Sequence, residues 1–189
     1  MKKSGDGIKR ILILSLITLM VVGSSVSHSY GEEEGGKTKW GFSFLGGFNA
    51  NQKPNLIQFA FLPRFDLALH KSWDFELEGN FSYYGISDSK NLYLLGLNTN
   101  ILFKPVQWNK GSLFLIGGVG VAYNNNNKGE VNELGDSHMA GIVQGGTGIH
   151  YHLGKGYWFR GEYRFQHISD PFNHDLGFNT HNFILGLSF

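Results

Sequence analysis

Alternation between apolar and polar residues, sustained over about ten residues at a time, is the feature that most limits how this chain can fold. Between Trp73 and Tyr83 nearly every second residue is aromatic or aliphatic, and the residues between them are acidic or otherwise polar. Segments 57–70 and 157–169 repeat the pattern, with arginines as well as carboxylates on the polar face. Because side chains alternate across a strand, each segment predicts a β-strand with one apolar and one charged face.

Alternation does not reveal which face is buried, and a soluble barrel or sandwich would place the charges outside. Three features favour the inverted arrangement of a membrane barrel: the apolar faces are unusually aromatic, the polar faces carry both signs of charge, and an export sequence precedes them. Eight strands leave an interior just wide enough for side chains, so the charges are expected to form a lumen network and no open pore. Its predicted members are Arg64, Asp66, Glu76, Glu78, Arg160, Glu162 and Arg164.

The N-terminal segment has the layout of a signal peptide. A basic stretch, MKKSGDGIKR, is followed by about 13 apolar residues and then by small polar residues. The apolar run is too short to span a bilayer comfortably, which disfavours an uncleaved anchor. We therefore expect residues 1–31 to be a signal peptide, cleaved after Ser27, Ser29 or Gly31, and residues 32–189 to be the barrel domain.

Eight alternating segments can be counted along the mature chain. Short turns are expected near 70–71, 105–110 and 154–156, and longer polar loops at the other strand ends, which is the pattern of bacterial outer-membrane barrels with periplasmic turns. The predicted fold is all-β, an eight-stranded antiparallel transmembrane barrel of the outer membrane. The predicted strands are 38–50, 57–70, 72–85, 91–104, 111–124, 137–153, 157–169 and 179–189.

The C-terminus carries a more specific mark. The segment HNFILGLSF ends in Phe189, with Leu187, Leu185 and Phe183 on the same face. A final aromatic residue after alternating apolar residues resembles the last strand of outer-membrane barrels. The alternative is a soluble, lipocalin-like periplasmic carrier, which would not need detergent to stay in solution.

Two predicted strands bring a small polar patch together on the outer wall. Counting from the lower rim at about 3.3 Å per residue and a tilt near 40°, His167 and Ser169 reach the upper edge of an apolar band about 25 Å tall. Hairpin pairing places Asn179 and His181 beside them. A histidine can activate a serine hydroxyl when a third group orients the imidazole, so the patch could carry nucleophilic catalysis.

The segment RFQHISD and the later GFNTHNFILGLSF resemble the lipid A 3-O-deacylase (PagL) family, also called acyloxyacyl-hydrolase-like. The match is specific over about the last 30 residues and elsewhere extends to architecture and length. The resemblance implies an eight-stranded outer-membrane barrel with its active site on the outer wall. It implies His167 as general base and Ser169 as nucleophile, with Asn179 at the position of the third member.

The sequence departs from that family at several positions. Asp170 stands where the family usually has Asn, and the following loop is shorter by about two residues. Asp175 falls where an oxyanion-stabilising Asn is expected, although Asn173 could substitute for it. Asn179 can orient an imidazole but lacks the charge of a carboxylate, and Asp170 or Asp175 could supply the acid instead.

Composition and charge limit the other possibilities. The chain has no cysteine, which excludes thiol nucleophiles and disulfides, and its net charge of +1 gives no reason to expect nucleic acid as a partner. No cofactor or metal is expected, and His150 and His152 are interpreted as a lumen-facing pair in preference to a metal site. The expected partner is lipid A of lipopolysaccharide in the outer leaflet, and a homodimer is left open. The alternative function is a non-catalytic barrel with a structural or adhesion role.

Overall fold

The computed structural model describes residues 38–50, 55–87, 91–125, 138–170 and 177–189. Within these ranges eight antiparallel strands follow one another around a closed barrel in which β8 pairs with β1, so the predicted fold is confirmed. No helix that could cross a membrane occurs in this part of the chain. The strands are β1 (Thr38–Asn49), β2 (Leu56–His70), β3 (Trp73–Ile86), β4 (Leu92–Trp108), β5 (Gly111–Asn124), β6 (Met139–Gly154), β7 (Tyr157–Ser169) and β8 (Gly177–Ser188). The predicted signal peptide lies outside the described residues.

The connections alternate in length as predicted. Two residues join β2 to β3, β4 to β5 and β6 to β7, whereas the connections at the opposite rim have between five and fourteen residues. The turn between β6 and β7 places Lys155 at φ 52° and Gly156 at φ 84°. Two consecutive left-handed residues form the type I′ turn that matches the twist of paired strands.

The prediction for the β4–β5 connection was wrong. It gave a turn over 105–110, but β4 continues to Trp108 and the turn contains only Asn109 and Lys110. The pairing with β5 shifts by one residue between Phe103 and Val106. Pro105 falls in this bulge, where its missing N–H removes no regular ladder hydrogen bond, so the proline does not end the strand.

The charged faces of the strands point into the lumen and the aromatic faces point outward, as predicted. Arg64, Glu76 and Arg160 are 2% exposed or less, whereas Phe59 and Phe44 on the outer wall are 57% and 61% exposed. So many large apolar side chains on one surface would be unfavourable in contact with water, whereas contact with lipid carries no such cost. The exposure pattern is therefore that of a membrane-embedded barrel.

Ion pairs fill the middle of the lumen. The guanidinium of Arg164 contacts both carboxylate oxygens of Glu78 at 2.7 and 3.1 Å, and its Nε donates to Glu162 at 2.5 Å. Arg160 donates to the other oxygen of Glu162 at 2.7 Å and also bonds Glu76. Glu162 thus bridges two arginines, and every partner is fully buried. Such a network holds charge in a narrow interior only because each ion has a counter-ion.

The outer end of the lumen is mainly apolar. Ten residues from seven strands form a buried cluster there, with the buried polar residues Asn124 and Asp170 at the same rim. The cluster consists of Leu56, Tyr84, Ile86, Leu92, Leu94, Ala122, Ala140, Ile142, Ile168 and Phe178. It closes the interior with side chains at the rim that carries the longer connections.

Two belts of aromatic residues mark the height of the apolar band. Trp73 and Phe103 pair across β3 and β4 with ring centroids 4.7 Å apart, and Tyr83 and Tyr93 pair higher up at 5.3 Å. On each strand the lower and the upper aromatic residue are ten positions apart, which corresponds to about 25 Å along the barrel axis at the usual rise and tilt. That height equals the apolar band of outer-membrane barrels, with aromatic girdles at both interfaces.

The ion-pair network predicts a large cost for removing its bridging carboxylate. Glu162→Gln leaves Arg160 and Arg164 with one counter-ion fewer in a fully buried site, so we expect the free energy of unfolding to fall by about 3–5 kcal/mol. The control is Asp74→Asn at the lower mouth, where the pair with Lys104 is partly exposed and is expected to cost about 1 kcal/mol or less. Urea unfolding in phospholipid vesicles measures both, and equal losses would contradict the assignment of Glu162 as a bridge.

Candidate active site

The polar patch on the outer wall lies where β7 ends and β8 begins. In the register of these strands His167 pairs with Asn179 and Ser169 pairs with Gly177. All four residues are half-buried, in alternation with fully buried neighbours that face the lumen. His167 lies ten residues above Tyr157 and Asn179 ten residues before Phe189, which is the spacing between the two aromatic belts. The patch therefore lies at the outer interface of the membrane.

Asn179 orients the imidazole of His167. The side-chain oxygen of Asn179 lies 2.7 Å from Nδ1 of His167. Since an amide oxygen can only accept, Nδ1 carries the proton in this arrangement, and Nε2 of the neutral ring is left as an acceptor. This is the tautomer that a histidine needs in order to take a proton from a neighbouring hydroxyl.

Gly177 leaves open the space that the side chains of His167 and Ser169 border. A Cβ atom at this position would lie 3.0 Å from Cε1 of His167, 3.1 Å from Cβ of Ser169 and 2.8 Å from the carbonyl oxygen of Ile168. Because both side-chain atoms lie within 3.1 Å of one point, they are at most twice that distance apart. Cε1 of His167 and Cβ of Ser169 therefore both border the open space at Gly177.

The apolar cluster at the outer end of the lumen supports the patch from behind. Ile168 lies between His167 and Ser169 in sequence and points inward, where it is fully buried. Its partner on β8 is Phe178, which packs edge-on against Tyr84 with ring centroids 5.5 Å apart. Because close packing permits little rotation, these two anchors fix the direction in which their neighbours project.

The remaining predicted residues fall in three places. Asp170 is buried, only 7% exposed, like the residues of β7 that face the lumen. Asn173 and Asp175 lie outside the described residues. His181 lies on the wall below Asn179. Its Nδ1 is hydrogen-bonded to the hydroxyl of Tyr163 at 2.6 Å.

Sequence reasoning placed His181 in the patch but missed its bond to Tyr163. His181 pairs with Phe165, so Tyr163 is its diagonal neighbour two residues further down β7. Diagonal neighbours in an antiparallel pair are within reach of long aromatic side chains. The hairpin register together with this rule would have given the contact.

An apolar groove lies on the wall directly below these residues. It has a volume of about 400 Å³ and is open to the membrane side. Gly161 forms its floor because it is the one outward position of β7 without a side chain, and a Cβ there would meet only ordinary contacts at 3.4 Å or more. The side chains around it include those of Tyr163, Phe183, Leu185, Leu113 and Ile149.

The histidines considered for metal binding are used for packing. His150 lies against Phe114 with ring centroids 4.5 Å apart, and His152 lies against Trp158 at 4.7 Å. Among the described residues no group of three or more potential ligands could hold a metal ion.

Closed topology, a charged lumen, an aromatic outer wall and two girdles define an integral β-barrel of the bacterial outer membrane. The model of the outer membrane protein beta-barrel domain matches residues 18–189, and the chain belongs to this family. No curated protein sequence matches it significantly.

Solved structures share the fold at low sequence identity. The crystal structure of the outer membrane enzyme PagL has a TM-score of 0.62 and 12% identity, covering 77% of this chain and 97% of that one. Neisserial surface protein A (NspA) has a TM-score of 0.61 and 10% identity, covering 82% and 98%. OprG from Pseudomonas aeruginosa has a TM-score of 0.50 and 9% identity, covering 82% and 97%. At these identities the likeness concerns the fold alone.

The contacts of Gly177 predict that alanine at this position displaces the imidazole. Gly177→Ala puts a methyl group against Cε1 of His167, so we expect the bond to Asn179 to lengthen and the Nδ1 proton signal of His167 to be lost from the NMR spectrum of the refolded barrel. The matched control is Gly46→Ala on β1, whose Cβ would have no atom within 4 Å. An unchanged Nδ1 signal in the Gly177 variant would show that the ring does not depend on this space.

Proposed function

We propose that this protein is a serine esterase of the outer leaflet that removes an ester-linked 3-hydroxyacyl chain from lipid A of lipopolysaccharide. The observation that carries the proposal is the hydrogen bond of 2.7 Å between Asn179 and Nδ1 of His167, next to Ser169 on the lipid-facing wall. A serine, a histidine and an orienting group are the minimum for an activated oxygen nucleophile.

In this mechanism Nε2 of His167 removes the proton of the Ser169 hydroxyl while its oxygen attacks the acyl carbonyl carbon. The tetrahedral intermediate collapses, the bond to the sugar oxygen breaks, and the imidazolium returns the proton to that oxygen as the alcohol leaves. Water, deprotonated by the same imidazole, then attacks the acyl-serine and releases a hydroxy fatty acid. The reaction requires neither a metal nor an organic cofactor.

The neutral Asn179 changes the energetics of the first step. A carboxylate at this position would stabilise the imidazolium that forms, whereas an amide only holds the ring in the right tautomer and direction. Asp170 is buried beside the serine, and the chain from 171 to 176 contains Asn173 and Asp175, the candidates for oxyanion stabilisation or a substitute acid. A carboxylate close to the oxyanion would oppose its charge, so the amide of Asn173 is the better donor of the two.

The position of the patch suits a substrate that stays in the membrane. The lumen is filled with side chains and offers lipid no way in, whereas the outer wall at the interface meets the ester groups of the outer leaflet directly. The apolar groove below the patch can accept part of an acyl chain. The fold is also that of the outer membrane enzyme PagL, which shows that a barrel of this architecture can be an enzyme.

A second candidate is a non-catalytic barrel with a structural or adhesion role. The missing charge at Asn179 favours it, and NspA, a surface protein, is as similar in fold as PagL is. On this alternative the patch is an interfacial cluster of polar side chains.

If Ser169 is the nucleophile, the composition of lipid A should depend on this residue. Cells expressing the protein should lose one hydroxyacyl group from lipid A by mass spectrometry, and Ser169→Ala should remove this activity, since loss of a catalytic serine costs roughly 10⁴- to 10⁶-fold in rate. The control is Thr99→Ala, which deletes a hydroxyl on the wall away from the patch. If lipid A is unchanged by the folded wild-type protein, the non-catalytic alternative is correct.

The orienting bond predicts graded effects at Asn179. Asn179→Ala should lower kcat by about 5- to 100-fold, because the imidazole loses the half-buried hydrogen bond that fixes its tautomer. Asn179→Asp restores an acceptor and adds the charge that stabilises the imidazolium, so it should equal or exceed the wild type. Both rates can be measured on a soluble acyl ester, and full activity of the alanine variant would exclude a role for Asn179.

A further inference from the structure

The three short turns of the barrel each contain one lysine and no acidic residue. They lie at the rim that is periplasmic in barrels of this kind, and each has only two residues. All three lysine side chains are exposed. The three turn lysines are Lys71, Lys110 and Lys155. Positive charge is thus spread around this mouth of the barrel.

The acidic side chains near this rim each lie beside another cation. Asp74 is paired with Lys104, with 2.8 Å between Oδ1 and Nζ. Asp66 lies directly opposite Lys39 in the register of β1 and β2. In the part of the chain that the structure describes, the turn lysines form no ion pair. Their charge is therefore available to a partner outside the barrel.

An outward-facing aromatic ring lies two residues from each turn lysine. The rings are those of Trp73, Trp108 and Tyr157, which are 43%, 42% and 51% exposed. Two residues of extended chain span about 7 Å, so each ring lies just inside the membrane edge from its lysine. Trp and Tyr favour the level of the lipid head groups, where an apolar ring and a polar tip are both accommodated. Each turn thus repeats one unit, an ammonium group next to an interfacial ring.

Lys155 occupies a position that favours other residue types. Its φ is 52°, and among the described residues it is the only one besides glycine with a positive φ. The first position of a type I′ turn favours Asn, Asp or Gly, since the left-handed conformation is unfavourable for most side chains. An Asn-Gly turn would form the same hairpin without this cost. The lysine therefore indicates a use for its charge beyond forming the hairpin.

The tryptophans of the chain are concentrated at the same rim. The outer belt has tyrosines instead, Tyr83 and Tyr93. An indole N–H can only donate a hydrogen bond, as an ammonium group can. The periplasmic rim is therefore rich in donors and fits a partner that supplies acceptors. The four tryptophans, all at the lower ends of their strands, are Trp40, Trp73, Trp108 and Trp158.

We propose that the three turn lysines bind the head groups of anionic phospholipids in the inner leaflet, each together with the aromatic ring beside it. The long stem of a lysine follows apolar surface while its ammonium group reaches the phosphate oxygens. A zwitterionic head group carries an ammonium of its own, which opposes the lysine, so a net negative head group is preferred. This surface is at the opposite end of the barrel from the polar patch, and the inference does not depend on the proposed function.

Quenching of tryptophan fluorescence by brominated lipids tests this inference, because every tryptophan lies at this rim. The barrel is refolded into phosphatidylcholine vesicles that contain an equal fraction of brominated phosphatidylglycerol or of brominated phosphatidylcholine. Brominated phosphatidylglycerol should quench the wild type more strongly, equivalent to about a fivefold preference at a turn, the value of one lysine beside an anionic surface. The preference should weaken at about 1 M salt, where the Debye length is only about 3 Å.

A pair of triple variants separates the turns from the net charge of the protein. The test variant lacks the turn lysines and should be quenched equally by the two lipids. The control variant lacks three lysines of the connections at the opposite rim and should keep the wild-type preference. The substitutions are Lys71→Gln, Lys110→Gln and Lys155→Gln in the test variant, and Lys53→Gln, Lys90→Gln and Lys128→Gln in the control. A wild type without a preference, or an equal loss in both variants, would overturn the inference.

Lys155→Asn separates the charge of this turn from its stability. Asparagine is favoured in the left-handed conformation, so the variant should unfold in phosphatidylcholine vesicles at the same or a higher urea concentration than the wild type. Its preference for phosphatidylglycerol should nevertheless fall between those of the wild type and the test variant. A stable variant that keeps the full preference would contradict the assignment of a lipid site to this turn.

Discussion

Hydrocarbon supplies no partner for a backbone N–H or C=O, and the hydrogen bonds between β1 and β8 remove the last free edge of this sheet. Every other property of the molecule depends on that closure. It divides the side chains of each strand into those that face lipid and those that face a narrow lumen, and it forces the charged set into mutual contact. It also keeps β8 between two neighbours, so Asn179 is held in register with His167 on one side and through its backbone carbonyl with Ala50 on the other.

The alternation of apolar and polar residues was enough to predict the parts of the structure that depend on which face of a strand a side chain occupies. The outward aromatic faces, the inward charges and the pairing of His167 with Asn179 all follow from alternation and from counting through one hairpin. The β4–β5 hairpin was not predictable in this way, because Pro105 normally interrupts a strand and only the bulge makes it compatible. The contact of Gly177 with His167 was also out of reach, because it depends on a distance between atoms and not on a pattern of hydrophobicity. The bond of Tyr163 to His181 was missed because it needs the reach of diagonal neighbours in addition to the hairpin register.

The patch combines two kinds of support that differ in strength. From inside, Ile168 and Phe178 lock β7 and β8 into a close-packed apolar cluster, which resists rotation of the strands. On the outer surface, each of His167 and His181 is oriented by a single hydrogen bond, to Asn179 and Tyr163 respectively.

The filled lumen has a consequence for how this protein meets its surroundings. Ion pairs occupy the middle of the lumen and mostly apolar side chains its outer end, so the described part of the barrel encloses no wide water-filled channel. In this respect its interior differs from that of a porin, whose larger barrel surrounds an aqueous channel. The polar patch is on the outer wall of a barrel whose lumen is filled, so it can contact lipid without any opening through the barrel.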